Sequence, residues 1–112
     1  MHCLRVTLAA TDLDAMARYY DGVFAAGLRP LADGLLRGTW LGTPFVLCSN
    51  AIAGVDAAQN RLQLEIAVAD LAVFCDAVTR HGGTVRDRTD DHATAVDPDG
   101  NTLVVHHRPP CT

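Results

Sequence analysis

Asp97-Pro98-Asp99-Gly100-Asn101-Thr102-Leu103-Val104-Val105 decides how this chain is read. Pro98 presets φ for the first turn position, and Gly100 supplies a left-handed residue. The chain is therefore expected to reverse here, between one β-branched run near 92–97 and another near 101–107. Pairing across Pro98-Asp99-Gly100 sets Thr94 opposite Val104 and His92 opposite His106. Those four then share one sheet face, because side chains alternate along a strand.

Working outward, the same pattern occurs twice. Leu62, Leu64, Ile66 and Val68 alternate with Arg61, Gln63, Glu65 and Ala67, as in a half-buried strand. Asp70 is placed to cap a helix that buries Leu71, Phe74, Val78 and also Cys75, and Gly82-Gly83 stops it. Short strands are expected near 84–88, 92–97 and 101–107. Earlier in the chain Leu4, Val6 and Leu8 alternate with Cys3, Arg5, Thr7 and Ala9. Thr11 or Asp12 can cap a helix with Leu13, Met16, Ala17, Tyr20, Val23, Phe24 and Gly27 on one face. Gly27 and Pro30 are expected to end it, with strands around 35–41 and 44–49 split by Gly42-Thr43-Pro44. A shift of 58 positions lays Asp12 on Asp70, Leu13 on Leu71 and Gly42 on Gly100. Each half reads as β-α-β-β-β. The expected organisation is one α+β domain over 1–112, with a first module at about 1–50, a linker at 51–60 and a second module at about 61–108.

Composition narrows the function classes. With 112 residues, 49% of them hydrophobic and 20% charged, the chain can bury one core. Net charge is −4; all nine basic residues are Arg, and the excess acid lies after residue 50. No basic stripe exists, which argues against nucleic acid as a partner. No run has the length of a membrane span and no basic-then-apolar leader opens the chain, so a cytoplasmic protein without a membrane partner is expected. Cys3, Cys48, Cys75 and Cys111 lack C-x-x-C spacing and are expected as reduced thiols.

If each first strand sends its apolar positions under its helix, the alternate positions line the other face. In the first half these are Cys3, Arg5, Thr7 and Ala9; in the second, Gln63, Glu65 and Ala67. The first hairpin is expected to add Leu36, Val46 and Cys48, with Trp40 near its turn. Trp40, the sole tryptophan, is either core or a stacking surface for a planar ligand. Arg5 is either a surface residue or an anchor for a carboxylate, phosphate or enolate. Glu65, the only glutamate, is expected to pair with Arg5, with general base as the second reading. His92 and His106 are a rim pair, an acid–base pair or ligands of a metal in a non-standard place. His107 points the other way and receives no role.

The paired modules, the Asp-Leu helix starts and the Asp-Pro-Asp-Gly-Asn turn resemble the vicinal oxygen chelate superfamily of glyoxalases, bleomycin-resistance proteins and extradiol dioxygenases. The resemblance implies two curved sheets forming a cup, usually completed in a homodimer, with a divalent metal on His, Gln or Glu. Its ligand positions fall here on Arg5, Gln63, Val104 and Val46, or Leu47 with a one-residue slip. Only Gln63 has a donor to offer, so neither metal nor other cofactor is expected. The leading expectation is a binder of an amphipathic or anionic small molecule, by sequestration or transport, through Arg5, Thr7, Trp40, Val46, Cys48, Gln63, Glu65, Val104 and His106. One alternative is a lyase, isomerase or hydrolase with its centre moved to Glu65, His92 and His106. The other is a degenerate dimerisation scaffold.

Overall fold

The computed structural model describes residues 5–53 and 64–107. The chain divides into two compact units, Met1–Ala57 and Ala58–Thr112, and each is built in the same way. In the first, β1 (Val6–Ala10) leads to α1 (Leu13–Phe24), then β2 (Arg29–Ala32), β3 (Leu35–Trp40), β4 (Thr43–Ser49) and the single turn α2 (Asn50–Ala53). In the second, β5 (Leu64–Val68) leads to α3 (Leu71–Arg80), β6 (Thr84–Arg86), β7 (His92–Val96) and β8 (Thr102–His107). The sheet orders are β1-β4-β3-β2 and β5-β8-β7-β6. In both, the first and last strands pair in parallel and the others form antiparallel hairpins. The 58-residue repeat carries β1 onto β5 without remainder.

Both helices start as the sequence indicates. Asp12 Oδ1 accepts from the Ala15 N–H and Asp70 Oδ1 from the Val73 N–H, each satisfying a donor the helix leaves free. Such a cap contributes about 1 kcal/mol. The first helix ends earlier than expected. Ala25 (φ 52) takes the left-handed cap two residues before Gly27, and the Ala26 N–H reaches back to the Tyr20 carbonyl. The second ends at His81, and the Gly83 N–H closes on the Val78 carbonyl.

The first core is aromatic. Tyr19, Tyr20, Phe24, Trp40 and Phe45 pack edge to face or tilted, apart from the stacked Tyr20–Phe24 pair, and Met16 and Leu47 are fully buried in the same unit. Tyr19 is 2% exposed although the helical spacing singled out Tyr20 alone. Gly38 lets β3 run directly beneath the chain after α1, where the Thr39 N–H donates to the Ala26 carbonyl at 2.9 Å. In the second unit α3 lays Leu71, Cys75 and Val78 against a sheet that contributes Ala93, Ala95, Leu103 and Val105. Full burial of a side chain such as Val105 stabilises by about 1.5–3 kcal/mol.

Four expectations need correction. A strand precedes the first hairpin at Arg29–Ala32; it is exposed throughout, so no alternation marks it. Residues 51–53 belong to α2, which leaves 54–60 of the expected linker outside the described residues. The first hairpin turns at Leu41-Gly42, not at Gly42-Thr43-Pro44: Trp40 pairs with Thr43, and both turn residues have positive φ (53 and 77). That one-residue change flips β3 relative to the expected pairing. Leu36, paired with Leu47, and Trp40 therefore lie on the helix side.

Candidate functional site

Parity along the strands defines, within each unit, the sheet face that the helix does not cover. In the first unit one cross-strand row on that face is Thr7, Val46, Arg37 and Arg29. The next row holds Ala9, Cys48 and Leu35. Arg5 precedes β1 by one residue and stands two before Thr7 in the sequence. Thr7 and all three arginines are exposed, while Val46 and Cys48 are buried. No described carboxylate is ion-paired with Arg5, Arg29 or Arg37. Arg29 and Arg37 stand directly opposite each other, a like-charge juxtaposition that disfavours the sheet unless an anion compensates it. The Arg37 side chain was not foreseen because the expected register turned it under the helix.

Trp40 does not belong to this face. It is 7% exposed and makes edge contacts with Tyr20 and Phe24 at 89° and 82°. Its indole N–H has no nitrogen or oxygen partner among the described residues. The stacking role is therefore corrected: Trp40 is core. Cys48 is a buried thiol whose ionisation burial pushes up from the ordinary 9.0, which leaves it a poor nucleophile at neutral pH.

In the second unit the helix-free face carries Glu65, Val104, Thr94 and Arg86 in one row and Ala67, His106 and His92 in the next. The pairings His92–His106 and Thr94–Val104 are those read from the turn. Glu65 Oε1 lies 2.7 Å from His106 Nε2, so the partner the structure gives this carboxylate is His106, where the sequence reading had Arg5. The two imidazole rings are 6.3 Å apart. His92 Nδ1 lies 3.1 Å from Thr89 Oγ1. His107, on the opposite face, was assigned nothing. Its Nδ1 accepts from the Leu71 N–H at 3.0 Å and so caps α3. Helix-start donors need partners; that strand alternation would bring His107 to one was not legible locally.

The positions the resemblance implies for a metal can be tested on this donor set. Arg5 presents a cation without a lone pair, Val46 and Val104 present hydrocarbon, and Leu47 is fully buried beneath α1. Gln63 lies outside the described residues. The described residues at these positions offer the group no donor. Nor is there, among the described residues, a set of three His, Cys, Asp or Glu side chains arranged to hold an ion elsewhere, which bears directly on the His92–His106 pair.

Comparison with known proteins agrees with this architecture. The profile of the glyoxalase-like domain matches residues 5–106. A glyoxalase-related enzyme from Fulvimarina pelagi is similar over 96% of this chain and 88% of its own, with 20% identity and a TM-score of 0.75. A glyoxalase/bleomycin resistance protein from Albidiferax ferrireducens T118 is similar over 94% and 97%, with 22% identity and a TM-score of 0.71. The fosfomycin resistance protein FosX of Mesorhizobium loti is similar over 96% and 92%, with 17% identity and a TM-score of 0.75. No curated protein matches the chain. Two four-stranded sheets, each with its helix, are the glyoxalase/bleomycin-resistance arrangement. No helix among the described residues is long and apolar enough to cross a membrane.

Proposed function

We propose, for a chain that belongs to the glyoxalase-like domain family, a metal-independent binder of small amphipathic anions that acts by sequestration or transport. The observation that carries this reading is the helix-free face of the first unit. There Arg37 and Arg5 stand without carboxylate partners among the described residues, beside Val46, Leu35 and Ala9. Guanidinium groups take carboxylates and phosphonates through two parallel hydrogen bonds. The aliphatic row beside them suits a hydrocarbon body rather than a planar aromatic one, since Trp40 is withdrawn into the core. Metal independence is supported by the side chains at positions 5, 46 and 104, none of which can donate to a cation. The proposal includes a homodimer and a cytoplasmic setting without nucleic-acid or membrane partners.

The test is calorimetric titration with aliphatic carboxylates and with fosfomycin, a phosphonate suggested by the M. loti relative, each with and without EDTA. Binding is expected to be unchanged by EDTA. Replacing Arg5 or Arg37 by Ala is expected to weaken it by about 10- to 100-fold, the loss of one charge-assisted hydrogen-bonded anchor. Affinity that vanishes in EDTA, or an R5A/R37A double variant that binds like the parent, defeats the reading. Light scattering at micromolar concentration tests the dimer.

A further inference from the structure

The second unit brings together three groups whose proton positions can be worked out, and they are those of an acid–base site. An ionised Glu65 carboxylate only accepts, so the proton between it and His106 sits on Nε2. That leaves the His106 Nδ1 lone pair unused among the described residues. Thr89 Oγ1 accepts two backbone N–H groups, from Asp91 and from His92, both at 3.2 Å. With its lone pairs engaged, the hydroxyl has its own proton to donate. The nearer acceptor is His92 Nδ1 at 3.1 Å, against 3.5 Å to the His92 carbonyl. His92 is thereby fixed with its proton on Nε2. A base and a hydrogen-bond donor thus stand as directly opposed cross-strand neighbours, with ring centres 6.3 Å apart.

We propose that this is a water-activating site that hydrolyses activated carboxylic esters, with His106 as general base, His92 as donor to the carbonyl oxygen, and Glu65 as the positioning residue for His106. His106 Nδ1 takes a proton from water while the water oxygen bonds to the ester carbon. The carbonyl electron pair moves onto its oxygen, which the His92 Nε2–H holds. When the carbonyl reforms, the bond to the leaving oxygen breaks, and the leaving group receives the proton from the His106 imidazolium. One ester and one water become one acid and one alcohol, and no further reactant enters.

Magnitudes and neighbours choose this reaction over two others. General-base assistance supplies about 10²- to 10⁴-fold. That suffices for an ester with a good leaving group but falls short for a carbon acid without stronger stabilisation of the anion. A covalent route through a hydroxyl or thiol needs such a group beside the base, and among the described residues of this face only Thr94 carries one. Side-chain exposures of 32% for His106 and 60% for Glu65 leave room for the water the reaction consumes. This inference is independent of the anion-binding proposal, since it uses no residue of the first unit.

The experiment is turnover of 4-nitrophenyl acetate by the full chain, measured beside free imidazole at equal concentration, together with nitrogen-15 NMR of the histidine rings. Turnover above the imidazole rate is expected, with His106 protonated at Nε2 and His92 at Nε2. His106→Ala is expected to remove the excess rate, whereas H81A, at the end of α3, is expected to retain it. Glu65→Gln keeps a carbonyl acceptor for the Nε2–H but loses the charge; kcat is expected to fall about tenfold with KM unchanged and the His106 tautomer preserved. Glu65→Ala is expected to release the tautomer as well. Hydrolysis no faster than imidazole, a His106→Ala variant as fast as the parent, or a His106 proton on Nδ1 would each overturn the assignment.

Discussion

Replacing Asp97 by Ala removes the side chain that organises the second hairpin turn. The residue is 5% exposed, and its carboxylate accepts at least three hydrogen bonds, each at 2.9 Å: the Asp99 and Asn101 N–H groups on Oδ1 and the Asn101 side-chain amide on Oδ2. A bond to a charged group nets about 1.5–3 kcal/mol, so simple addition bounds these three at roughly 4.5–9 kcal/mol. Water lowers this bound, because Asp99 and Asn101 are only half-buried and are rehydrated once the carboxylate is gone. The backbone pairs Asp97 N–H to Asn101 and Gly100 N–H to Asp97 also survive truncation. We therefore expect a loss of about 2–4 kcal/mol, at the high end for a single substitution. Asp97→Asn keeps one oxygen for the two backbone donors and turns its amide toward Asn101, so about 1–2 kcal/mol is expected. Urea unfolding followed by circular dichroism reads both. With a slope of about 1.5–2 kcal/mol per molar, the Asp97→Ala midpoint should fall by about 1–2.7 M at unchanged slope. A shift below about 0.3 M, or equal losses for the two variants, would show that backbone geometry alone holds the turn and that the carboxylate reasoning is wrong.

Two other perturbations test the fold. At Gly38 an added Cβ would overlap the Ala26 carbonyl oxygen, which is backbone and already accepts the Thr39 N–H, so Gly38→Ala is expected to cost about 1–3 kcal/mol in the same assay. An unchanged midpoint would mean that the strand does not pass so close beneath the residues after α1. Burial pushes the thiols of Cys48 and Cys75 above 9.0; at Cys75 Asp76 adds to the rise and Arg88 opposes it. A thiol raised in the folded state favours that state through its neutral form. Its contribution is therefore complete below the unfolded thiol's value and is lost as pH climbs through the folded one. Stability should hold level through neutral pH and decline in the alkaline range, and the decline should shrink in a Cys48→Ala/Cys75→Ala variant. A decline of the same size in that variant would assign it to other groups.

What could be read in advance follows the chemistry of the turns. Pro98 and Gly100 left one place for the second hairpin to reverse, so the pairing of His92 with His106 followed from sequence. The first hairpin reverses on Leu41 at φ 53, a conformation that a bulky side chain rarely takes, and nothing local announced it. With the register displaced by one, Arg37 passed from the helix side to the uncovered face, while Trp40 and Leu36 went the opposite way. Arg29–Ala32 escaped notice because an exposed edge strand containing proline shows neither alternation nor β-branched enrichment. The helix starts were legible because Asp12 and Asp70 act on neighbours three residues away. The Glu65–His106 pair spans 41 residues and depends on parallel strand pairing, which no short-range signal encodes.

The bond from Leu71 N–H to His107 Nδ1 also orders events in time. A ribosome delivers residue 71 long before residue 107, so the opening turn of α3 emerges with one of its donors facing water. That donor finds its protein partner only when β8 slots in beside β5. β8 is thus a latch for a helix made 36 residues earlier, and truncation ahead of His107 would leave that latch undone.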